Sequence, residues 1–324
     1  MLLAAATVLV GFIVLIWSAD LFVAGAASIA ENMGMSPIVI GLTIVSMGTS
    51  APEVLVSITA AMSGAGNLAV GNAIGSNIAN VGLVLGITLL IAPLMVHSGC
   101  MKKEMPTLIL VTVGAGILIA DDDLSQVDGW LMIGTLGALV IFMLRTQQKD
   151  EVLVGEAEEE YLPHLSPKRA WLTFALGLGL LVGSSRMLVW GAVEIASTLG
   201  VSELVIGLTI VAVGTSLPEL AATVASAMRG HTEIALGNVI GSNLFNLLVV
   251  MAIPGIFSAA TLEPSVLTRD YPTMLGLTLL LALAIYISRL RSRSMDGHAY
   301  VGRSIGVLLV TCYALYYYWL YVSL

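Results

Sequence analysis

Apolar residues run along this chain in blocks long enough to cross a bilayer as helices, with short polar punctuation between them. The blocks read as ten spans, over 2–30, 37–62, 69–94, 104–120, 128–145, 168–197, 204–228, 235–258, 271–288 and 303–322. Backbone groups in lipid must pair internally, so helices suit these blocks and short strands do not. The first block begins without a charged leader or a small-residue cleavage site and reads as a retained helix, not a signal peptide. One longer polar stretch, 146–167, carries Asp150, Glu151, Glu156, the run Glu158-Glu159-Glu160, Pro163 and Pro167. It reads as a solvated linker, too short for a regulatory domain.

The pattern then repeats. Residues 36–53 read SPIVIGLTIVSMGTSAPE and residues 202–219 read SELVIGLTIVAVGTSLPE. Residues 71–80, GNAIGSNIAN, match 237–246, GNVIGSNLFN, at the same offset of 166 (202 − 36 and 237 − 71). The expected fold is an all-α polytopic membrane protein of ten transmembrane helices in two five-helix repeats. Its units are 1–145, a linker at 146–167, and 168–324. Five is odd, so the second unit enters from the opposite face and the repeats are inverted. That arrangement recurs in secondary transporters, whose sites lie at the repeat interface near the midplane.

Composition sharpens this reading. Charged residues make up 10% of 324 residues and hydrophobic ones 58%, with a mean hydropathy of +0.98. So few charges cannot cover a soluble globule, which excludes an ordinary soluble enzyme. A net charge of −8 argues against nucleic acid as a partner. Cys100 and Cys312 are far apart, in no metal spacing, and read as apolar fillers. With ten crossings, eleven of the thirteen Lys and Arg residues fall on one side, in the loops and in the linker. That side is expected to be cytoplasmic. Both termini, and the run Asp121-Asp122-Asp123, then lie outside a cell inner (plasma) membrane.

The repeated blocks hold the polar residues. Gly48-Thr49-Ser50-Ala51-Pro52-Glu53 and Gly214-Thr215-Ser216-Leu217-Pro218-Glu219 interrupt their spans. Proline removes a backbone donor and clashes with the preceding turn, so each helix is expected to kink and release carbonyls. A carboxylate at mid-span costs at least about 2.5 kcal/mol, which marks Glu53 and Glu219 as functional. A capping box, Ser50-x-x-Glu53 or Ser216-x-x-Glu219, is the plainer account of the spacing and is compatible with ligation. The following spans add Ser76 and Asn80, four apart on one helical face, and Ser242 and Asn246. Asn72, Asn77 and Asn238 read as braces for the kinked helices. Gly71, Gly75, Gly237 and Gly241 have the GxxxG spacing of helix packing. Together the set offers carboxylates, amides and hydroxyls. Hard oxygen donors suit Na⁺ and Ca²⁺, and the absence of His and Cys disfavours zinc, copper and iron.

These paired GTSxPE and GNxIGSN blocks resemble the alpha repeats of the sodium/calcium exchanger (cation/calcium antiporter) superfamily, in its bacterial and archaeal YrbG-like branch. The resemblance implies a non-enzymatic antiporter exchanging Ca²⁺ for Na⁺ by alternating access. It implies ligands Thr49, Ser50, Glu53, Ser76 and Asn80 with Thr215, Ser216, Glu219, Ser242 and Asn246, plus the carbonyls of Ser46 and Ala212. The ions are substrates; no cofactor and no obligate protein partner is expected. Several relatives carry an acid at one of the two positions where this chain has Asn80 and Asn246, so K⁺-dependent or H⁺-coupled exchange stays open. Two other classes are a cation channel and an intramembrane hydrolase with Ser50 or Ser216 as nucleophile. The second needs a base, and His97, His164, His231 and His298 all fall in loops. Outside the motif, Asp20 and Arg186 occupy equivalent repeat positions with opposite sign, which suggests an ion pair between the first and sixth spans.

Overall fold

The computed structural model describes residues 1–147, 165–200, 212–257, 260–291 and 299–323. The architecture is an all-α polytopic membrane protein. Six described helices are long and apolar enough to cross a bilayer: α1 (Leu2–Met33), α4 (Gly66–Ile91), α7 (Pro167–Thr198), α9 (Thr232–Phe257), α10 (Val266–Arg291) and α11 (Arg303–Val322). A seventh candidate is a bent pair, α2 (Pro37–Thr49) and α3 (Ala51–Met62), whose axes meet at 47°. Further helices stand at three more expected spans: α5 (Glu104–Leu118), α6 (Gln126–Gln147), whose apolar part is the shorter Gln126–Phe142, and α8 (Leu217–Met228), the last preceded by Ala212–Thr215. The start of the seventh expected span, and most of the 146–167 linker, lie outside the described residues.

Burial orders these helices. The apolar windows of α4 and α9 are 72% and 83% buried, against 28% for α1, 28% for α7 and 22% for α11. The helices holding the Ser and Asn residues are therefore the centre, and α1, α7 and α11 face outward. Helices in lipid gain little from hiding apolar surface from each other, so close backbone approach drives their packing. Along α1 and α7 that approach is set by glycine. A Cβ on Gly25 would sit 2.4 Å from the Phe174 backbone nitrogen, and one on Gly177 would sit 2.5 Å from that of Phe22. The rings of Phe22 and Phe174 stack there at 4.8 Å. Gly11 meets Leu188 and Gly191 meets Val8. As one number in each pair rises the other falls, so the two helices run antiparallel.

Short strands do form, outside the long helices. β1 (Leu94–Val96) pairs antiparallel with β4 (Ala299–Val301), and β2 (Asp123–Leu124) pairs with β3 (Ala260–Thr261). These loops carry backbone groups that the helix ladders do not use, and the ribbons satisfy them. Near them, Asn67 bonds the Glu263 amide at 3.1 Å, and its repeat equivalent Glu233 pairs with His97, the equivalent of Glu263, at 2.7 Å. Cys100 is buried, Cys312 is half-buried, and both are free thiols.

Asp20 does not pair with Arg186. Its partner is Arg229, whose Nε lies 2.9 Å from Asp20 Oδ1. The antiparallel register explains the difference. Phe22 packs opposite Gly177, so Asp20 lies level with about residue 179, seven residues before Arg186 and roughly 10 Å along a helix at about 1.5 Å per residue.

Candidate functional site

The bend between α2 and α3 falls at Ser50, and the second interruption falls at Ser216. Both residues leave helical geometry in the same way, with φ/ψ of −83°/7° and −88°/4°. Proline at the second helical position follows each one, which starts the next helix without needing its amide. Glu53 and Glu219 then lie in the first turns of α3 and α8, each only 1% exposed. Neither serine side chain caps its helix, so the capping box is not formed. Ser50 Oγ donates instead to Glu219 Oε1 of the other half, at 3.1 Å.

Across from the bends lie α4 and α9. Each contains a π-helical segment that begins at a site asparagine, Asn80–Leu85 in α4 and Asn246–Val250 in α9. A π turn adds a residue to the helix, re-aims the side chains after it, and is common at functional sites. Glycine lets α2 reach α9, where a Cβ on Gly241 would lie 2.5 Å from the Leu42 carbonyl oxygen. Gly237 packs likewise on the Ile38 carbonyl. Gly71 and Gly75 meet no described atom within 4 Å, and residues 201–211, the second-half counterparts of part of α2, are outside the described residues.

Two braces repeat at the offset of 166. Asn72 Nδ2 donates to the Glu53 carbonyl at 3.1 Å and to Ser57 Oγ at 3.4 Å. Asn238 Nδ2 donates to the Glu219 carbonyl at 3.4 Å and to Thr223 Oγ1 at 2.9 Å. Both hold the backbone that carries a glutamate, as expected. Thr49 Oγ1 adds a 3.2 Å bond to Asn238 Oδ1. Asn77 does something else. It ties α4 to α9, donating to the Asn243 carbonyl at 3.2 Å and accepting from Asn246 Nδ2 at 3.1 Å. The hydroxyls of Ser57 and Thr223 were the missed partners; their shared hydroxyl at the repeat offset was the available signal.

Eleven of the twelve predicted ligand residues can be compared by burial. Ser46, Thr49, Ser50, Glu53, Ser76, Asn80, Ser216, Glu219, Ser242 and Asn246 are all buried, and the two glutamates are close enough to interact electrostatically. Thr215 is half-buried. Ala212 contributes backbone at the head of its short helix. The Ser46 carbonyl accepts the Ser50 amide at 2.9 Å, whereas the Ser216 amide donates one residue later, to Val213, at 3.1 Å.

Buried polar atoms are normally hydrogen-bonded. Here several have no partner among the described residues: both carboxylate oxygens of Glu53, Glu219 Oε2, Asn80 Oδ1 and Nδ2, Ser216 Oγ, Ser242 Oγ, Asn243 Oδ1 and Asn246 Oδ1. All but one of these are oxygens, and all of these lie in the two repeated blocks; Ser226 Oγ and the Tyr313 hydroxyl, elsewhere in the chain, are in the same state. A buried carboxylate in that state calls for a cation or a proton. Hydrolysis fits poorly. Ser50 bonds a carboxylate of the opposite half, His97 is engaged by Glu233, and His231 stands before α9, where burial and Arg229 push its pKa down. His164 and His298 lie outside the described residues.

Known proteins share this architecture. The family profile described as sodium/calcium exchanger protein matches residues 3–145 and 169–322. CaxA from Alkalimonas amylolytica is 44% identical over 327 residues, covering 100% of both chains. The inner membrane protein YrbG from Escherichia coli (strain K12) is 38% identical over 315 residues, covering 95% of this chain and 94% of its own. Among solved structures, the sodium-calcium exchanger NCX_Mj soaked with zero Na⁺ and Ca²⁺ superposes with a TM-score of 0.81 at 32% identity. That match covers 97% of this chain and 98% of the other.

Proposed function

The chain belongs to the sodium/calcium exchanger family, and on that premise we propose that it exchanges Ca²⁺ for Na⁺ across the membrane as a secondary antiporter. The observation that carries this is the set of buried, unpartnered oxygens around Glu53 and Glu219. Two carboxylates give a charge near −2, which one Ca²⁺ or two Na⁺ neutralise. Either load makes the cage electrically acceptable in lipid, while the empty charged cage is penalised. That difference couples the two ions. The ligands are those of the two blocks: Ser46, Thr49, Ser50, Glu53, Ser76, Asn80, Ala212, Thr215, Ser216, Glu219, Ser242 and Asn246.

The proposed topology is ten crossings in two inverted repeats, 1–145 and 168–324, joined by a cytoplasmic linker, with both termini outside the inner membrane. The antiparallel seam of α1 and α7 supports inversion. The ribbons support the count. Ten crossings put β1 and β4 on the cytoplasmic side and β2 and β3 on the other, and the strands pair in those sets.

Alternating access finds support in an asymmetry. Ser50–Glu219 and Asn246–Asn77 are bonded. Their repeat equivalents, Ser216–Glu53 and Asn80–Asn243, leave atoms unpartnered among the described residues. The opposite-facing state would make the second set and release the first.

The test is Ca²⁺ uptake into vesicles driven by an imposed Na⁺ gradient. Glu53→Gln or Glu219→Gln is expected to abolish it, and uptake retained in either variant would overturn the site. Because Asn80 and Asn246 are both amides, K⁺-dependent or H⁺-coupled exchange is the second reading. Imposing Na⁺, K⁺ and H⁺ gradients one at a time separates the three.

A further inference from the structure

An asparagine amide carries an acceptor at one corner and donors at the other, and its neighbours decide which corner faces which way. Between α4 and α9 a backbone carbonyl decides this for two side chains. The Asn243 carbonyl can only accept, so the Asn77 atom 3.2 Å from it is Nδ2. The other corner, Asn77 Oδ1, can only accept in turn, so the Asn246 atom 3.1 Å from it is Nδ2. Asn246 Oδ1 is left on the corner turned away from Asn77, buried and without a partner among the described residues.

The repeat supplies the contrast. Asn80 is the equivalent of Asn246, and Asn77 that of Asn243 (246 − 166 and 243 − 166). Asn80 is buried like Asn246, yet both corners of its amide lack a partner among the described residues. The same residue type at the same repeat position is thus aimed in one half and not in the other. The aim matters for binding. The segment that Asn246 opens packs against α3, the helix of Glu53, as well as against α4. An amide oxygen turned to a cation is a neutral ligand, whereas the same amide reversed presents its N–H groups and repels it.

We propose that Asn77 is a positioning residue for the cation cage: it turns the Asn246 oxygen toward the ions and the Asn246 nitrogen away from them. Asn77 itself is no ligand. The inference rests on the reading of Asn246 as a ligand of the transported cation, and it names what holds that ligand in its binding orientation. Groups that orient a metal ligand change metal affinity by about 10–100-fold when they are removed.

The test measures equilibrium binding of radiolabelled Ca²⁺ to the reconstituted full chain, with Ca²⁺ uptake into vesicles alongside. Asn77→Leu is expected to weaken Ca²⁺ binding roughly tenfold or more, and to raise the KM for uptake while keeping most of the maximal rate. A second background separates aiming from packing. A carboxylate offers an oxygen at both corners and needs no aim. Added to Asn246→Asp, Asn77→Leu is therefore expected to change Ca²⁺ binding by less than about twofold, the non-additivity of two residues that act through one bond. Met274→Leu removes the remaining 3.5 Å contact of Asn77 Nδ2 and is expected to bind Ca²⁺ like the parent. Should Asn77→Leu fail to fold, Asn77→Ala removes the same bonds without the added bulk and is read in the same two backgrounds. Unchanged binding in the Asn77 variant, an equal loss in both backgrounds, or an equal loss in Met274→Leu overturns the proposal and leaves the exchanger reading in place. A parent that neither binds nor takes up Ca²⁺ overturns the exchanger reading, and this proposal with it.

Discussion

Asn238 is fully buried and uses its amide in three directions: to Thr223, to the Glu219 carbonyl and from Thr49. Its counterpart Asn72 is half-buried and makes two of these bonds. Leaving buried polar partners unsatisfied costs about 1–3 kcal/mol. Asn238→Ala is therefore expected to lower thermal stability in detergent by that order and to depress Ca²⁺ uptake. Asn72→Ala should do less on both counts. Equal effects would mean that burial does not distinguish the two braces. At this scale the gathering of these buried polar residues was largely legible, because a charge or amide inside an apolar span has few bland explanations. What was hidden was direction. Spacing placed Asn77 beside Ser76, but only the packed helices show it turned to α9 and not to the kink. The capping box was a fair reading of Ser50 and Glu53, defeated because a second carboxylate comes within reach of the same hydroxyl.

Among elements, α1 and α7 owe their contact to glycines that admit backbone against backbone. Gly25→Val and Gly177→Val would each push a side chain into a neighbouring main chain. Overpacking costs about 1–3 kcal/mol where neighbours can shift, and more where the obstacle is backbone. Both variants are expected to melt well below the parent. Gly183→Ala, on the same helix as Gly177 and with no described atom within 4 Å of the added Cβ, should melt like it. Circular dichroism during heating reads all three. The spans themselves were visible as runs of apolar residues, and the bend was visible as a proline after a glycine. The π-helical segments at Asn80 and Asn246 were not, since five or six residues are too few to reveal a change of helical period. The Asp20–Arg186 pairing failed for a related reason. Equivalent positions in antiparallel helices coincide only near their crossing point, and these two lie away from it.

For the whole molecule, the proposed sidedness can be checked by labelling. Cysteine introduced at Asp122, beside β2, is expected to react with a membrane-impermeant maleimide on intact cells. Cysteine at Lys103, beyond β1, should react only after the membrane is opened. The reverse pattern would invert the topology. The repeat offset made the duplicated plan readable in the sequence. The ribbons and the Asn67–Glu263 and Glu233–His97 contacts were not readable, because strands of two or three residues carry no periodicity and long-range partners leave no local mark.

The ribbons also have a consequence in time. Each joins a strand from the first half to one from the second, β1 to β4 and β2 to β3. During synthesis, β1 emerges about 200 residues before its partner (299 − 96). At roughly 5–20 residues per second, that leaves its edge unpaired for on the order of tens of seconds. The first half is therefore made with two open strand edges and two unanswered polar helices, whose partners lie in a segment not yet synthesised.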